Sequence, residues 1–166
     1  MGNQPDEAFL QLIQANRGIL FKICNAYCKT KANREDLAQE IIYQLWKSGK
    51  SFDASHTFST WMYRVALNVA ISYYRKEKQQ PTAMPLDDNM DVEDATGTAN
   101  LTEANILLLH QFIADLKELD RALMILYLEA KSYAEIADII GITETNVATK
   151  ISRIKEKLKQ RFAASG

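Results

Sequence analysis

Glycine and proline are scarce, with six and three in 166 residues, which is too few for a fold built on tight turns. No stretch alternates apolar and polar residues with β-branched enrichment, so strands are not expected. Cysteine is almost missing as well. Cys24 and Cys28 are the two present, and His56 and His110 are the two histidines. Two cysteines four apart, with both histidines far away in sequence, make neither a zinc site nor a disulfide framework. Buried free thiols on one helix face are the expectation. No apolar run is long enough to cross a bilayer, and the first six residues lack the charged and apolar regions of a signal peptide. The expectation is a cytoplasmic protein without membrane insertion. No nucleophile–base pair, carboxylate cluster or phosphate loop is present, so neither an enzyme nor a cofactor or metal site is expected.

What is present is charge, and it is segregated. The formal net charge is −1, yet residues 1–78 carry eleven basic and seven acidic side chains. Residues 79–104 carry six acids and no base, and residues 105–166 carry nine bases and eight acids. A basic head, an acidic middle and a tail with a basic end describe the chain better than near neutrality.

The last third is the most informative stretch. Ser132 and Glu135 have capping-box spacing, and Ala134, Ile136, Ala137, Ile139 and Ile140 supply a packing surface. Gly141 follows, the residue suited to the left-handed turn that ends a helix, with Ile142 placed to plug the angle. Thr143 is a good N-cap for a second helix with Val147, Ile151, Ile154 and Leu158 on one face. Its other face offers Glu144, Thr145, Asn146, Thr149, Lys150, Arg153 and Lys157. From residue 145 onward six Lys/Arg stand against one acid, Glu156. Two helices joined by a glycine turn, the second one basic, are the layout of a helix-turn-helix. Polar side chains near its start suit base edges and the cations suit phosphates.

The rest also reads as helix. Residues 6–30 form one, with Phe9, Leu12, Ile13, Leu20, Phe21, Ile23 and Tyr27 as its apolar face. Residues 33–48 form another, carrying Leu37, Ile41, Ile42, Leu45 and Trp46. After a connector at 52–58, Ser59 or Thr60 caps a long helix to about Gln79. Residues 81–98, with two prolines and five acids, read as a flexible linker, and helices at 101–118 and 120–130 lead into the helix-turn-helix. The fold class is all-α: two small helical domains, 1–79 and 102–166, joined by a flexible acidic linker at 80–101. Near the end of the third helix, aromatics alternate with Arg75, Lys76 and Lys78, a composition that suits single-stranded DNA. Taken alone, Trp61, at helical spacing with Val65, fits the core better than a base-stacking role.

Three segments then carry a family resemblance. Residues 34–46, REDLAQEIIYQLW, resemble the region-two helix of bacterial RNA polymerase sigma factors, D-L-x-Q-E-x-F-x-x-x-W. Residues 58–68, FSTWMYRVALN, resemble the F-x-T-W-L-x-R-I-A-x-N motif that follows it. Ile136, Ala137, Gly141, Ile142, Thr143, Val147, Ser152 and Arg153 resemble region four. With only regions two and four, the chain is similar to the extracytoplasmic-function (ECF) group.

That resemblance implies a transcription initiation factor whose partners are core RNA polymerase (its β′ clamp helices and β flap) and promoter DNA. An anti-sigma factor is a further partner that the family admits. It assigns Asp36, Gln39 and Glu40 to polymerase binding. It assigns Trp61, Arg64, Asn68, Ser72, Arg75, Lys76 and Lys78 to recognising and opening the minus-ten element. Thr145, Asn146, Thr149, Lys150, Arg153 and Lys157 would read the minus-thirty-five element. Isoleucine replaces the usual aromatic at 41 or 42, Ser72 stands where an aspartate is common, and Ala148 and Lys150 replace lysine and arginine. A lysine lacks the bidentate grip of arginine on guanine. Read without the resemblance, residues 120–162 alone also fit a helix-turn-helix repressor, and the helices fit a protein-only adaptor.

Overall fold

The computed structural model describes residues 7–49, 52, 57–79 and 101–165, and the linker at 80–100 lies outside them. The described residues form eight helices: α1 (Glu7–Ala15), α2 (Arg17–Tyr27), α3 (Lys31–Ser48), α4 (Phe58–Gln79), α5 (Leu101–Asp115), α6 (Glu118–Leu128), α7 (Tyr133–Ile140) and α8 (Glu144–Ser165). They fall into two compact units that divide at Thr82 and Ala83.

In the N-terminal unit α2, α3 and α4 pack against one another in pairs. Ile23 from α2, Leu37, Ile41 and Leu45 from α3, and Met62, Tyr63, Ala66, Leu67 and Ala70 from α4 are all buried and form the core. Ala66 and Ala70 sit one turn apart on α4, and side chains that small let a neighbouring helix come close. The single helix expected over 6–30 is two. Asn16 interrupts it with φ −110° and ψ 20°, and its side-chain amide donates to the carbonyl of Leu12 at 2.8 Å. An asparagine that bonds local backbone competes with the helix ladder, and here it ends α1. The starts of α3 and α4 also differ from expectation. Thr30 caps α3, its hydroxyl accepting from the amide of Asn33 at 3.1 Å. Thr57, not Ser59 or Thr60, caps α4, accepting from the amide of Thr60 at 3.2 Å.

One end of this bundle is aromatic. Phe9 from α1 lies edge-on to Phe58 and Trp61, and Phe52 joins both, with ring centroids 5.4–5.9 Å apart. Gly49 sits directly against Phe9, where a Cβ would come within 3.0 Å of the ring. Cys24 and Cys28 are both free and buried.

The C-terminal unit is built around α6, whose residues from Arg121 to Leu126 are all buried. Arg121 is enclosed because its guanidinium serves the backbone: it donates to the carbonyls of Ala114 and Leu116 at 2.9 and 2.7 Å, satisfying acceptors left over at the end of α5. The expected ends of α5 and α6 were two or three residues too long.

Candidate nucleic-acid and docking interfaces

The helix-turn-helix forms as its local signals require. The Ser132 hydroxyl accepts from the Glu135 amide and the Glu135 carboxylate accepts from the Ser132 amide, both at 3.1 Å. Gly141 takes φ 86°, and the amides of Gly141 and Ile142 both donate to the carbonyl of Ala137. The Thr143 hydroxyl accepts from the amide of Asn146 at 3.1 Å and starts α8. Val147, Ile151 and Ile154 anchor α8 to the core at no more than 2 % exposure. That leaves Thr145, Asn146, Thr149 and Arg153 exposed, and helical spacing puts them on one outward face. Lys150 and Lys157 sit on its flank, lining with Arg153 and Asp120 a cleft of about 350 Å³.

The basic run of α8 is therefore divided. Lys155 lies over the Tyr127 ring at 4.4 Å, and its ammonium pKa is raised by the Tyr127 hydroxyl. Arg161 pairs with Asp115 at 2.7 Å and stacks over Phe112 at 5.6 Å. Both cations are spent on packing α8 against its own unit.

In the N-terminal unit the two expected sets of residues meet. An open groove of about 560 Å³ between α3 and α4 is lined by Glu40 and Gln44 from one side. Asn68, Val69, Ser72, Tyr73, Arg75 and Lys76 line it from the other. Amide and hydroxyl groups lie along its walls with two cations among them, chemistry that can bind a base edge and its phosphate. Asp36 stands exposed at the same seam, accepting a hydrogen bond from the Tyr73 hydroxyl at 3.1 Å.

Three of the expected minus-ten residues lie away from the groove. Trp61 is only 8 % exposed, inside the aromatic cluster, where it packs the start of α4; its indole has no open face for a base. Arg64 is half-buried. Lys78 lies over the Tyr74 ring at 6.0 Å.

Gln39 points to a second feature of α3. It borders a shallow apolar depression of about 330 Å³ with Ile42, Tyr43 and Trp46. These three are 42 %, 58 % and 43 % exposed, although Ile42 and Trp46 belong to the same apolar series as the buried Leu37, Ile41 and Leu45. The signal was available: 39, 42, 43 and 46 follow the same spacing as a buried face, and only the bundle decides which stripe turns inward. Exposed aromatics grouped this way mark a protein-binding surface better than polar residues do.

Among the described residues no group of three or more His, Cys, Asp and Glu side chains could hold a metal ion. No described helix is long and apolar enough to cross a membrane.

A four-helix unit with an exposed apolar patch on α3, and a separate unit holding a helix-turn-helix, define a helical protein of the DNA-binding class. Comparison with known proteins names the kind. Residues 12–80 match the family of sigma-70 region 2, and residues 106–158 match that of sigma-70 region 4. The ECF RNA polymerase sigma factor SigW of Bacillus subtilis is 29 % identical over 171 residues, spanning 94 % of this chain and 89 % of that protein. SigM of Mycobacterium tuberculosis is 24 % identical over 151 residues, spanning 91 % and 75 %. Two solved structures share the fold. The sigma factor RpoE of Bartonella quintana, bound to the anti-sigma factor NepR, has a TM-score of 0.71 at 17 % identity, covering 95 % of this chain and 98 % of that one. CnrH bound to the cytosolic domain of CnrY has 0.67 at 18 %, covering 96 % and 90 %. The chain belongs to the sigma-70 family, in its ECF group, and acts in promoter-specific transcription initiation.

Proposed function

We propose that the N-terminal unit carries both polymerase docking and minus-ten opening, on adjoining faces of one helix pair. The observation that carries this reading is the α3–α4 groove, where Glu40 and Gln44 stand opposite Asn68, Ser72, Arg75 and Lys76. Core polymerase docks on the outer face of α3 through Asp36, Gln39 and Glu40, with Tyr43 and Trp46 as the apolar anchors. An exposed tryptophan of this kind costs about 2 kcal/mol or more of binding when truncated at an interface centre.

DNA strand opening then belongs to α4. Unstacking a base step costs a few kcal/mol, which contacts to an extruded base and its phosphate offset without ATP. Asn68, Ser72, Arg75 and Lys76 make those contacts; Trp61 acts indirectly, by fixing the start of α4. In the C-terminal unit Thr145, Asn146, Thr149 and Arg153 meet bases of the minus-thirty-five element, while Lys150 and Lys157 hold phosphates. The factor itself performs no covalent chemistry and works in the cytoplasm, where the polymerase is. An anti-sigma partner is part of this reading, since the solved relative RpoE was captured with one.

In-vitro transcription with core polymerase tests the assignment. Lys150→Glu with Arg153→Glu should abolish promoter-specific transcripts and leave core binding intact. Asp36→Arg with Gln39→Ala should weaken core binding instead. Transcription that survives the first pair, or core affinity unmoved by the second, contradicts the respective role.

A further inference from the structure

The outward face of α2 has no part in either grip, and its chemistry is one-sided. Between Glu7 and Glu35 the chain runs 27 residues without an acid and carries five cations, Arg17, Lys22, Lys29, Lys31 and Arg34. Helix α2 turns Ile19, Leu20, Ile23, Cys24 and Tyr27 into the bundle. Arg17, Gly18, Phe21, Lys22 and Asn25 are left exposed, and Lys29 is exposed just past the helix end. Phe21 is 61 % exposed, the most exposed of the large apolar side chains described. Gly18 beside it leaves open space around the ring's approach, with nothing within 4 Å of where a Cβ would stand.

Spacing turns this composition into a surface. Arg17, Phe21 and Asn25 follow one another at one-turn intervals of about 6 Å, and Lys22 and Lys29 flank the row. A flat aromatic face between cations, with an amide alongside, supplies stacking and backbone neutralisation together. Single-stranded nucleic acid needs that pair of interactions, and needs no acid nearby to repel its phosphates.

We propose that the outward face of α2, centred on Phe21 with Arg17, Lys22, Asn25 and Lys29, is a binding surface for single-stranded DNA. It looks away from α3 and α4 and so is independent of the groove between them. A strand held there makes a second contact beyond the promoter elements, insensitive to sequence because every base has a face to stack.

The test uses the full-length protein and a fluorescein-labelled 20-mer of deoxythymidine, with anisotropy read across a salt series. Phe21→Ala should weaken binding by about fivefold or more, the loss of one stacked base. Arg17→Glu with Lys22→Glu should weaken it at least about tenfold and flatten the log–log salt slope by about 1.4, two phosphate contacts on a single strand. A 4-thiothymidine probe should cross-link within residues 17–29. Lys155→Ala, whose ammonium packs on Tyr127 in the C-terminal unit, should leave that cross-link in place. Circular dichroism guards against misfolding, to which these exposed positions contribute little. Failure of the native protein to bind the 20-mer, or affinity and salt slope unmoved by both α2 variants, would overturn the proposal. So would variants that keep DNA affinity and lose core polymerase instead, which would make the face a protein interface.

Discussion

The Tyr73 hydroxyl donates to the carboxylate of Asp36 at 3.1 Å and reaches the side-chain oxygen of Asn33 at 3.4 Å, so the far end of α4 is tied to the beginning of α3. Burial and the carboxylate beside it both favour the protonated phenol and raise the Tyr73 pKa. The bond joins a residue proposed to face polymerase to a helix proposed to face DNA. Tyr73→Phe should destabilise the N-terminal unit by about 0.5–1 kcal/mol, the net worth of a partly exposed hydrogen bond. Because Asp36→Ala removes the same bond, the double variant should cost less than the two single changes added together. Urea unfolding of the four proteins measures this, and additivity would mean that the bond stabilises nothing.

This link also marks where sequence reading stops. Its two residues are 37 positions apart, and no local pattern announces them. The capping box at Ser132 and the turn at Gly141 were legible because each is settled within a few residues by backbone amides seeking partners. Element type was legible for the same reason. Which stripe of α3 turns inward was not, since Ile41 is buried and Ile42 exposed on equally apolar side chains. The two tryptophans part for that reason: the bundle buries Trp61 and leaves Trp46 partly in solvent.

Cys24 and Cys28 give a second prediction. Burial pushes the Cys24 thiol up to about 11, against some relief from Arg34. It pushes Cys28 up to about 12, with Cys24 and Glu77 adding to the effect. The unfolded chain ionises its thiols near pH ~8.5. Below that pH their contribution to stability is fully present. Above it the unfolded state loses protons first, so stability falls as pH rises toward 11–12. Chemical unfolding at pH 7.5 and pH 10 should show a smaller loss in a Cys24→Ala/Cys28→Ala variant than in the native protein. In native conditions a thiol reagent at pH 8 should react slowly, and quickly once denaturant is added. Equal rates in both would contradict the buried, protonated state.

A matched pair of backbone changes should move the C-terminal unit in opposite directions. Ala130, just after α6, holds φ 60°, the only non-glycine residue with positive φ among those described. An L-residue with a Cβ pays about 1 kcal/mol there, so Ala130→Gly should stabilise by about 0.5–1 kcal/mol. Gly141 holds φ 86° with no atom near its absent Cβ, so Gly141→Ala meets no clash and suffers the backbone strain alone. It should destabilise by about 1 kcal/mol. Thermal unfolding resolves both signs. Two shifts in the same direction would mean that conformational freedom of the unfolded chain dominates at one of the sites.

The divided basic run of α8 predicts that equal charges have unequal functions. Arg153 stands exposed beside Thr149, whereas Arg161 holds Asp115 at 2.7 Å and covers Phe112. Truncating Arg161 to alanine removes a partly exposed ion pair and its stacking, together about 0.5–1 kcal/mol of stability. It should leave the affinity of the polymerase-bound factor for a minus-thirty-five duplex within about twofold. Lys155→Ala should behave likewise, because its ammonium is already engaged with Tyr127. Arg153→Ala should do the reverse, costing little stability and about 1–3 kcal/mol of discrimination at the base it reads. Competition between cognate and scrambled minus-thirty-five duplexes, run beside thermal unfolding of the same three variants, separates the two behaviours. A loss of discrimination in Arg161→Ala equal to that in Arg153→Ala would mean that the Asp115 pair opens when DNA arrives, and that the whole run, not one face of it, meets the promoter.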